Sequence, residues 1–284
     1  MSKEDLKKIA KIQFKMNRLA SGLFSGLYLS HFKGRGIEFE EVRPFQSGDE
    51  VRSIDWNVTA RMGQPYIKLY REERELTLLL LLDISGSMQY GSRDQLKRSV
   101  LSEIASIFAY SGIKNHDKVG LILFSDQVEH YLPPEKGVRH VSRIIRDLLV
   151  FPAKRKGTSI KNAFSFLGHV QKKRAVVFLF SDFMKTGAFV KQAAVIAKRH
   201  DLIAFSISDP LEKAFPGIGL AELEDSETGK RMLLDASSSI TLDQKEKREA
   251  KQAIEKAGGD WVEVVTNQPY MATLLKWLSK RKRK

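Results

Sequence analysis

The fold is decided by the stretch Leu76-Thr-Leu-Leu-Leu-Leu-Leu-Asp-Ile-Ser-Gly-Ser-Met88. Its first seven residues are almost wholly apolar, and a polar turn follows them at once. A short apolar run that is bounded by a turn is typical of a β-strand buried on both faces, as in a parallel sheet. The run is far shorter than the ~20 apolar residues that a membrane-spanning helix needs. We therefore predict an interior strand here.

Three oxygen-bearing side chains follow this strand: Asp83, Ser85 and Ser87. In an open α/β sheet, ligands bind at the carboxyl ends of the strands. One carboxylate and two hydroxyls at such a place suit a hard cation such as Mg²⁺, which prefers oxygen ligands. A structural turn capped by the same side chains is an equally good interpretation of these three positions alone.

Strand and helix patterns alternate from residue 76 to 208 and resume between 237 and 279. This alternation indicates an α/β fold with a doubly wound, mostly parallel sheet and helices on both faces. Residues 209–236 interrupt the pattern and are expected to hold a β-hairpin insertion, and a charged helix is expected from Thr241 to Ala257. The other predicted strands are Val119 to Phe124, Val128 to Leu132, Ala175 to Phe180, Leu202 to Ile207 and Trp261 to Val265.

The segments outside this domain have different characters. Residues 1–30 show helical spacing of apolar residues, and residues 31–75 form a region of alternating polarity that predicts a small β-rich addition. That addition is crowded with arginines and acidic residues, which we expect to pair, and its Trp56 is predicted to be a core anchor. Residues 280–284 form a basic tail, Lys-Arg-Lys-Arg-Lys.

The composition limits the chemistry and the partners. The 284 residues contain no cysteine, which excludes disulfides and thiolate metal sites, and the formal net charge is +14. The opening residues lack a long apolar stretch, so we expect the protein to be cytoplasmic. A second expected location is the inner face of the membrane, where it would be bound as a peripheral protein. An excess of positive charge favours acidic partners or an anionic membrane surface, the latter through the basic tail. No basic motif interleaved with aromatic residues accompanies the charge, which makes nucleic acid an unlikely partner.

Two further loops are predicted to reach the same sheet edge as Asp83, Ser85 and Ser87. Thr158 lies in a glycine-preceded loop before a predicted helix, and Asp182 follows another buried strand. Together the five side chains offer two carboxylates and three hydroxyls for Mg²⁺ or Mn²⁺. A coordination position would remain open, which a carboxylate from a partner protein could fill.

The pattern Asp83-x-Ser85-x-Ser87, Thr158 and Asp182 resembles the metal-ion-dependent adhesion site of von Willebrand factor A domains. Other stretches resemble a bacterial family known as domain of unknown function fifty-eight. The resemblance implies a von Willebrand A-like domain that acts with MoxR-type AAA+ ATPases as an adaptor or chaperone cofactor for their client proteins. The stretches that carry it are Gly34-Arg-Gly-Ile-Glu-Phe39, Arg43 to Asp49, Arg52-Ser-Ile-Asp-Trp56, Ala60-Arg61, Asp117-Lys-Val-Gly120, Asp209-Pro-Leu-Glu212 and Asp225-Ser-Glu-Thr-Gly229.

The leading hypothesis is therefore a non-enzymatic, Mg²⁺-dependent protein-interaction module. The chain has no Gly-x-x-x-x-Gly-Lys-[Ser/Thr] phosphate loop, so ATP hydrolysis by that route would have to come from a partner. A metal-dependent phosphoester hydrolase is one alternative, although the scattered histidines indicate no general base. The other alternative is a protein that binds nucleic acid or an anionic membrane through its positive charge. It predicts that this binding weakens steeply with salt and is unaffected by EDTA.

Overall fold

The computed structural model describes residues 38–71, 75–91, 95–184, 189–215, 219–224, 229, 231–236, 240–241 and 244–281. These fall into two compact units, one within Lys33–Leu76 and one within Thr77–Lys284. The predicted helix of residues 1–30 and the tail residues 282–284 lie outside the described residues.

The smaller unit is a two-stranded antiparallel sheet with short helices. Strand β1 (Glu38–Pro44) pairs with β2 (Tyr66–Arg71), and between them lie a 3₁₀ turn (Val51–Ser53) and helix α1 (Trp56–Met62). As expected for this region, an arginine and an acidic residue pair: Arg43 donates two hydrogen bonds to Asp49, at 2.7 and 2.8 Å.

The prediction that Trp56 anchors a core is wrong. Asp55 accepts hydrogen bonds from the backbone N–H groups of Asn57 and Val58 and so caps the start of α1. A helix capped in this way begins at the tryptophan, whose side chain is left 67% exposed. Among the residues of this unit whose burial the structure describes, the buried apolar side chain is that of Ile67, on β2.

The strands of the larger unit within the described ranges are β3 (Thr77–Asp83), β4 (Lys118–Phe124), β5 (Val128–Glu135), β6 (Val176–Ser181), β7 (Asp201–Ser208), β8 (Ala214–Phe215), β9 (Gly219–Glu224), β10 (Arg231–Ala236), β11 (Ile240–Thr241) and β12 (Asp260–Val265). Six of these strands form one sheet, in the order β12-β7-β6-β3-β4-β5, within the larger unit. Its helices within the described ranges are α2 (Lys97–Lys114), α3 (Val138–Val150), α4 (Ile160–Val170), α5 (Val190–Arg199), α6 (Pro210–Lys213), α7 (Lys245–Lys256) and α8 (Tyr270–Arg281).

The central strand β3 confirms the expected interior strand and the predicted fold class. It pairs in parallel with β4 on one side and β6 on the other, and Leu78 to Leu82 are at most 2% exposed. One face of the strand, with Leu79 and Leu81, packs in a core formed with α4, α5 and α7. On the other face, Phe108 of α2 stacks on Phe178 of β6 with ring centroids 4.1 Å apart. Helices thus cover both faces of a mostly parallel sheet.

The sheet ends at the predicted antiparallel edge strand, β5, which pairs with β4. The strand runs on through Pro133 and Pro134 to Glu135, three residues beyond the prediction. Proline is tolerated here because an edge strand has a side on which backbone N–H groups need no partner.

The insertion after β7 contains the expected hairpin, since β9 and β10 pair in antiparallel register. A second short pair, β8 with β11, was not predicted from the sequence. Because β11 occupies Ile240–Thr241, the helix expected from Thr241 begins only at Lys245, as α7.

The last helix, α8, extends into the segment assigned to the basic tail. It ends at Arg281, which pairs with Asp201 and Asp260 and lies 5.6 Å from the centre of the Trp277 ring. This arginine is therefore part of the packed domain. Within the described ranges, no helix is both long enough and apolar enough to span a bilayer.

A candidate metal site at the carboxyl edge of the sheet

The residues that follow β3 form a tight turn around the Asp83 carboxylate. Asp83 is 1% exposed, and its Oδ1 accepts a hydrogen bond of 2.9 Å from the backbone N–H of Ser85. Its Oδ2 accepts one of 2.7 Å from the hydroxyl of Ser181, at the end of β6. The Ser85 and Ser87 hydroxyl oxygens lie 3.2 Å apart. The turn thus gathers three of the five predicted side chains and adds Ser181 as a direct donor to Asp83.

The loop that carries Thr158 is held at this edge from both sides. The Gly86 N–H donates to the Lys156 carbonyl at 2.8 Å, and the Ser159 N–H donates to the Ser125 carbonyl at 2.8 Å. Thr158 lies between these two attachment points, next to the turns that follow β3 and β4. Ser87 and Thr158 are partly exposed, whereas Asp83 and Ser85 are buried. The hydroxyl side of the cluster is therefore the side open to solvent.

Glu129 of β5 binds the loop that carries Thr158 through hydrogen bonds. The sequence alone indicated no role for this residue. Its carboxylate accepts hydrogen bonds from the backbone N–H groups of Lys154 and Arg155, at 2.7 and 3.2 Å, and from the Ser125 hydroxyl at 2.6 Å. Arg155 also pairs with Asp126 at 3.1 Å. The Thr158 loop is thus fixed by a side chain from the edge strand.

Asp182 lies at the end of β6, where the backbone is strained. It is 2% exposed, and its Oδ1 accepts the backbone N–H of Met184 at 3.2 Å. The next residue, Phe183, has φ of +56°, a left-handed conformation that is rare for a bulky side chain. Such strain persists where the surroundings over-determine it, and it clusters at functional sites. Here the buried Phe183 ring packs on Trp261, with centroids 4.6 Å apart, which holds the turn beside Asp182.

The largest feature that sequence reasoning missed is a buried lysine. Lys97, at the start of α2, is 1% exposed; its ammonium lies 2.7 Å from Asp182 Oδ2 and also pairs with Glu212 of α6. A signal was present in the sequence, because Lys97 shares helical spacing with the apolar residues Val100, Leu101 and Ile104. A lysine within an apolar stripe indicates a buried cation with acidic partners.

The polar network continues from Lys97 along the sheet edge. Glu212 accepts the backbone N–H of Asp209 at 2.9 Å, and the fully buried Asp209 carboxylate accepts the Thr266 hydroxyl at 2.7 Å. Asp209 and Glu212 belong to the stretch Asp209-Pro-Leu-Glu212 that the sequence singled out without a role. The chain of contacts connects the candidate metal site to the start of the insertion and to the turn after β12.

The surroundings of Asp83 disfavour its negative charge. Burial, together with the neighbouring Asp182 charge, raises the pKa of Asp83 to about 7. The hydrogen bonds from Ser85 and Ser181 act in the opposite direction but do not offset burial. In the part of the chain that the structure describes, no cationic side chain lies within ion-pair distance of Asp83. A buried carboxylate that lacks a cationic partner normally takes up a proton or binds a metal, so Asp83 is a residue that could hold a metal ion.

Comparison with known proteins identifies the family. Residues 41–255 match the family described as "Protein of unknown function DUF58". This chain is a DUF58 protein. The matched range includes all five candidate metal residues, Lys97 and Glu212.

Two relatives of this DUF58 protein are described as uncharacterized proteins. It is 24% identical over 279 residues to the uncharacterized protein Rv1480 of Mycobacterium tuberculosis. The alignment covers 96% of this chain and 88% of the relative. The DUF58 protein is 29% identical over 109 residues to the uncharacterized protein YeaD of Bacillus subtilis, covering 38% of this chain and 25% of the relative.

Solved structures share the fold of the DUF58 chain. The conserved hypothetical protein BatB of Bacteroides thetaiotaomicron superposes with a TM-score of 0.50 at 18% identity, covering 74% of this chain and all of that one. An aerotolerance-related membrane protein of Bacteroides fragilis gives 0.51 at 16% identity, covering 73% and 98%. At these identities the similarity establishes the fold alone.

Proposed function

We propose that this DUF58 protein is a non-enzymatic interaction module in which Mg²⁺, held by Asp83, Ser85, Ser87, Thr158 and Asp182, binds a carboxylate of a partner protein. The single observation that carries this proposal is the buried Asp83 carboxylate, whose described hydrogen bonds all come from neutral donors. Mn²⁺ accepts the same oxygen ligands and is the natural substitute.

The charge balance of the sheet edge supports a divalent cation. Three carboxylates lie around Lys97 and the turn after β3, those of Asp83, Asp182 and Glu212. Lys97 pairs with Asp182 and Glu212, and no described ion pair supplies a cation to Asp83. No group of three or more histidine or acidic side chains in the described ranges is arranged to hold a metal. The candidate set instead combines two carboxylates with three hydroxyls, the oxygen chemistry that Mg²⁺ accepts while keeping some water ligands.

The arrangement of exposure supports ligation across an interface. Asp83 and Ser85 are buried, whereas Ser87 and Thr158 are partly exposed, so a bound ion would be accessible from the hydroxyl side. When bound, Mg²⁺ supplies a positive charge to which an external carboxylate can coordinate. Lys154, Arg155 and Lys156 precede Thr158 and favour the approach of an acidic surface.

For the partner we propose a MoxR-type AAA+ ATPase, as the family resemblance implies, with the module serving as adaptor or chaperone cofactor for its clients. The missing phosphate loop supports a division of labour in which the partner hydrolyses ATP. We place the module in the cytoplasm, where ATP is available to such a partner.

The metal part of the proposal is tested with Asp83→Asn, which keeps the size of the side chain and removes its charge. Without metal, the variant keeps one of the two acceptor oxygens used by Ser85 and Ser181 but avoids the cost of ionising a buried carboxylate. Because these effects oppose each other, we expect its free energy of unfolding to stay within about 2 kcal/mol of the wild type. With MgCl₂, we expect the wild type to gain stability and to bind Mg²⁺ in calorimetric titration, and the variant to do neither.

Asp117→Asn is the matched control. It also alters a buried aspartate, but Asp117 precedes β4 at the opposite sheet edge, so this variant should bind Mg²⁺ like the wild type. Equal Mg²⁺ binding by Asp83→Asn and the wild type would refute the site.

A further inference from the structure

Helices α4 and α5 lie side by side and leave an open groove with a volume of about 300 Å³. Its floor is apolar, formed by the buried side chains of Phe164 and Ile196. Gly168 opens one wall, because a Cβ atom placed there would meet nothing within 4 Å. Val195 lines the other wall and is 59% exposed. The groove, which we call the basic groove, therefore has room for apolar side chains that the domain itself does not supply.

Among the described residues, one buried polar atom of the basic groove has no hydrogen-bond partner. Gln192 lines the groove, and its Oε1 is buried with no hydrogen-bond donor among the described residues. Leaving such an acceptor unsatisfied is unfavourable, so buried polar atoms of this kind usually have a partner. A bound ligand that donates to Oε1 after a rotation of the Gln192 side chain would satisfy it.

The two helices that form the basic groove carry charges of one sign. Residues 160–174 and 190–199 contain no aspartate or glutamate. Lys191 and Arg199 line the groove, and the Lys172 ammonium donates to the Gly168 carbonyl at 2.8 Å, which places a third cation beside it. The basic residues of these two segments are Lys161, Lys172, Lys173, Arg174, Lys191, Lys198 and Arg199.

We infer that the basic groove binds an acidic amphipathic helix of a partner protein. Apolar anchors spaced one turn apart would enter beside Gly168 and Val195, and flanking carboxylates would pair with Lys191 and Arg199. Single-stranded nucleic acid fits less well, since it binds through several exposed aromatic faces on which successive bases stack. Of the described rings that line the groove, Phe164 is 1% exposed, and the imidazole of His169 is the exposed one. None of the five candidate metal residues lines the groove, so this inference does not depend on Mg²⁺.

The test measures fluorescence anisotropy of a labelled four-turn helical peptide titrated with the full chain in EDTA. The peptide carries leucines on one face and glutamates beside them, and a matched peptide carries lysines in place of the glutamates. We expect the acidic peptide to bind saturably, and the lysine peptide to bind at least about tenfold more weakly.

Matched variants locate the binding surface. Val195→Glu places a carboxylate in the groove and should weaken binding by about tenfold or more, the scale of an interface hot spot. Val138→Glu makes the same change at a valine of α3 that is 63% exposed, and it should bind like the wild type. Lys191→Glu should also weaken binding, whereas Lys256→Glu, an exposed charge reversal on α7, should not.

Three results would overturn the inference: absence of acidic-peptide binding to the folded wild type, equal binding by Val195→Glu, or binding that Val195→Glu and Val138→Glu reduce alike. A single-stranded oligothymidylate that binds in place of the peptide, with the same sensitivity to Val195→Glu, would also overturn it and assign the groove to nucleic acid.

Discussion

Lys97→Met removes the ammonium that neutralises the buried edge of the sheet and keeps most of the side-chain length. Lys97 is 1% exposed and contacts two carboxylates, Asp182 at 2.7 Å and Glu212. Both acidic side chains are themselves largely buried, at 2% and 12% exposure. Methionine would therefore leave two carboxylates without their shared cation in a site that water reaches poorly.

The size of the effect follows from this geometry. At 2.7 Å and an effective dielectric constant of about 20, the attraction between Lys97 and Asp182 is about 6 kcal/mol before the cost of desolvation. Desolvating the ammonium offsets part of this, and breaking a buried pair by removing one partner typically costs ~3–5 kcal/mol. We expect Lys97→Met to lower the free energy of unfolding by about 4 kcal/mol.

Urea denaturation followed by circular dichroism measures this loss. The control is Lys161→Met, which changes an exposed lysine on α4 and should stay within about 0.5 kcal/mol of the wild type. Because Asp182 would then lack its ammonium, we also expect MgCl₂ to stabilise Lys97→Met more than the wild type. A loss below about 1 kcal/mol would refute the buried ion pair, and equal stabilisation by MgCl₂ would show that the ion and Lys97 do not share Asp182.

Two other predictions concern stability. Ser181→Ala removes the 2.7 Å hydrogen bond to Asp83 and should cost ~1.5–3 kcal/mol in urea denaturation without metal; an unchanged midpoint would contradict that contact. Burial and the charges of Arg199 and Arg174 lower the pKa of His200 from 6.5 to about 4. Between these pH values the unfolded chain binds a proton that the folded protein does not, so this contribution to stability is complete above pH 6.5 and is lost as the pH falls towards 4. His200→Phe should reduce the difference in stability between pH 7.5 and 4.5 by at most about 3 kcal/mol, and an unchanged difference would show that His200 does not cause it.

The sheet was predictable because its strands have an unambiguous pattern. Leu76 to Leu82 is too apolar for a surface and too short for a membrane helix, and the structure places it at the centre of the sheet as β3. Local sequence was a weaker guide at α1, where the cap from Asp55 exposes Trp56. The two-residue strands β8 and β11 have no periodicity to detect, because their pairing is set by the surrounding fold.

The candidate site was predictable in part. Chain order and strand ends placed Asp83, Ser85 and Ser87 together, and the loop of Thr158 is hydrogen-bonded to that turn. The contacts of Lys97 with Asp182 and Glu212 span 85 and 115 residues of sequence and depend on tertiary packing. A helical stripe shows that Lys97 is buried, but only the fold shows which acidic side chains it meets.

The proposed function requires that a metal ion connects this module to an acidic residue of its partner. The most direct measurement is the binding of a purified MoxR-type AAA+ ATPase from the same organism to immobilised wild type and Asp83→Asn, each in MgCl₂ and in EDTA. We predict binding to the wild type in MgCl₂, loss of that binding in EDTA, and none to Asp83→Asn in either buffer. Binding that persists in EDTA and in Asp83→Asn would contradict the claim and move the contact to another surface.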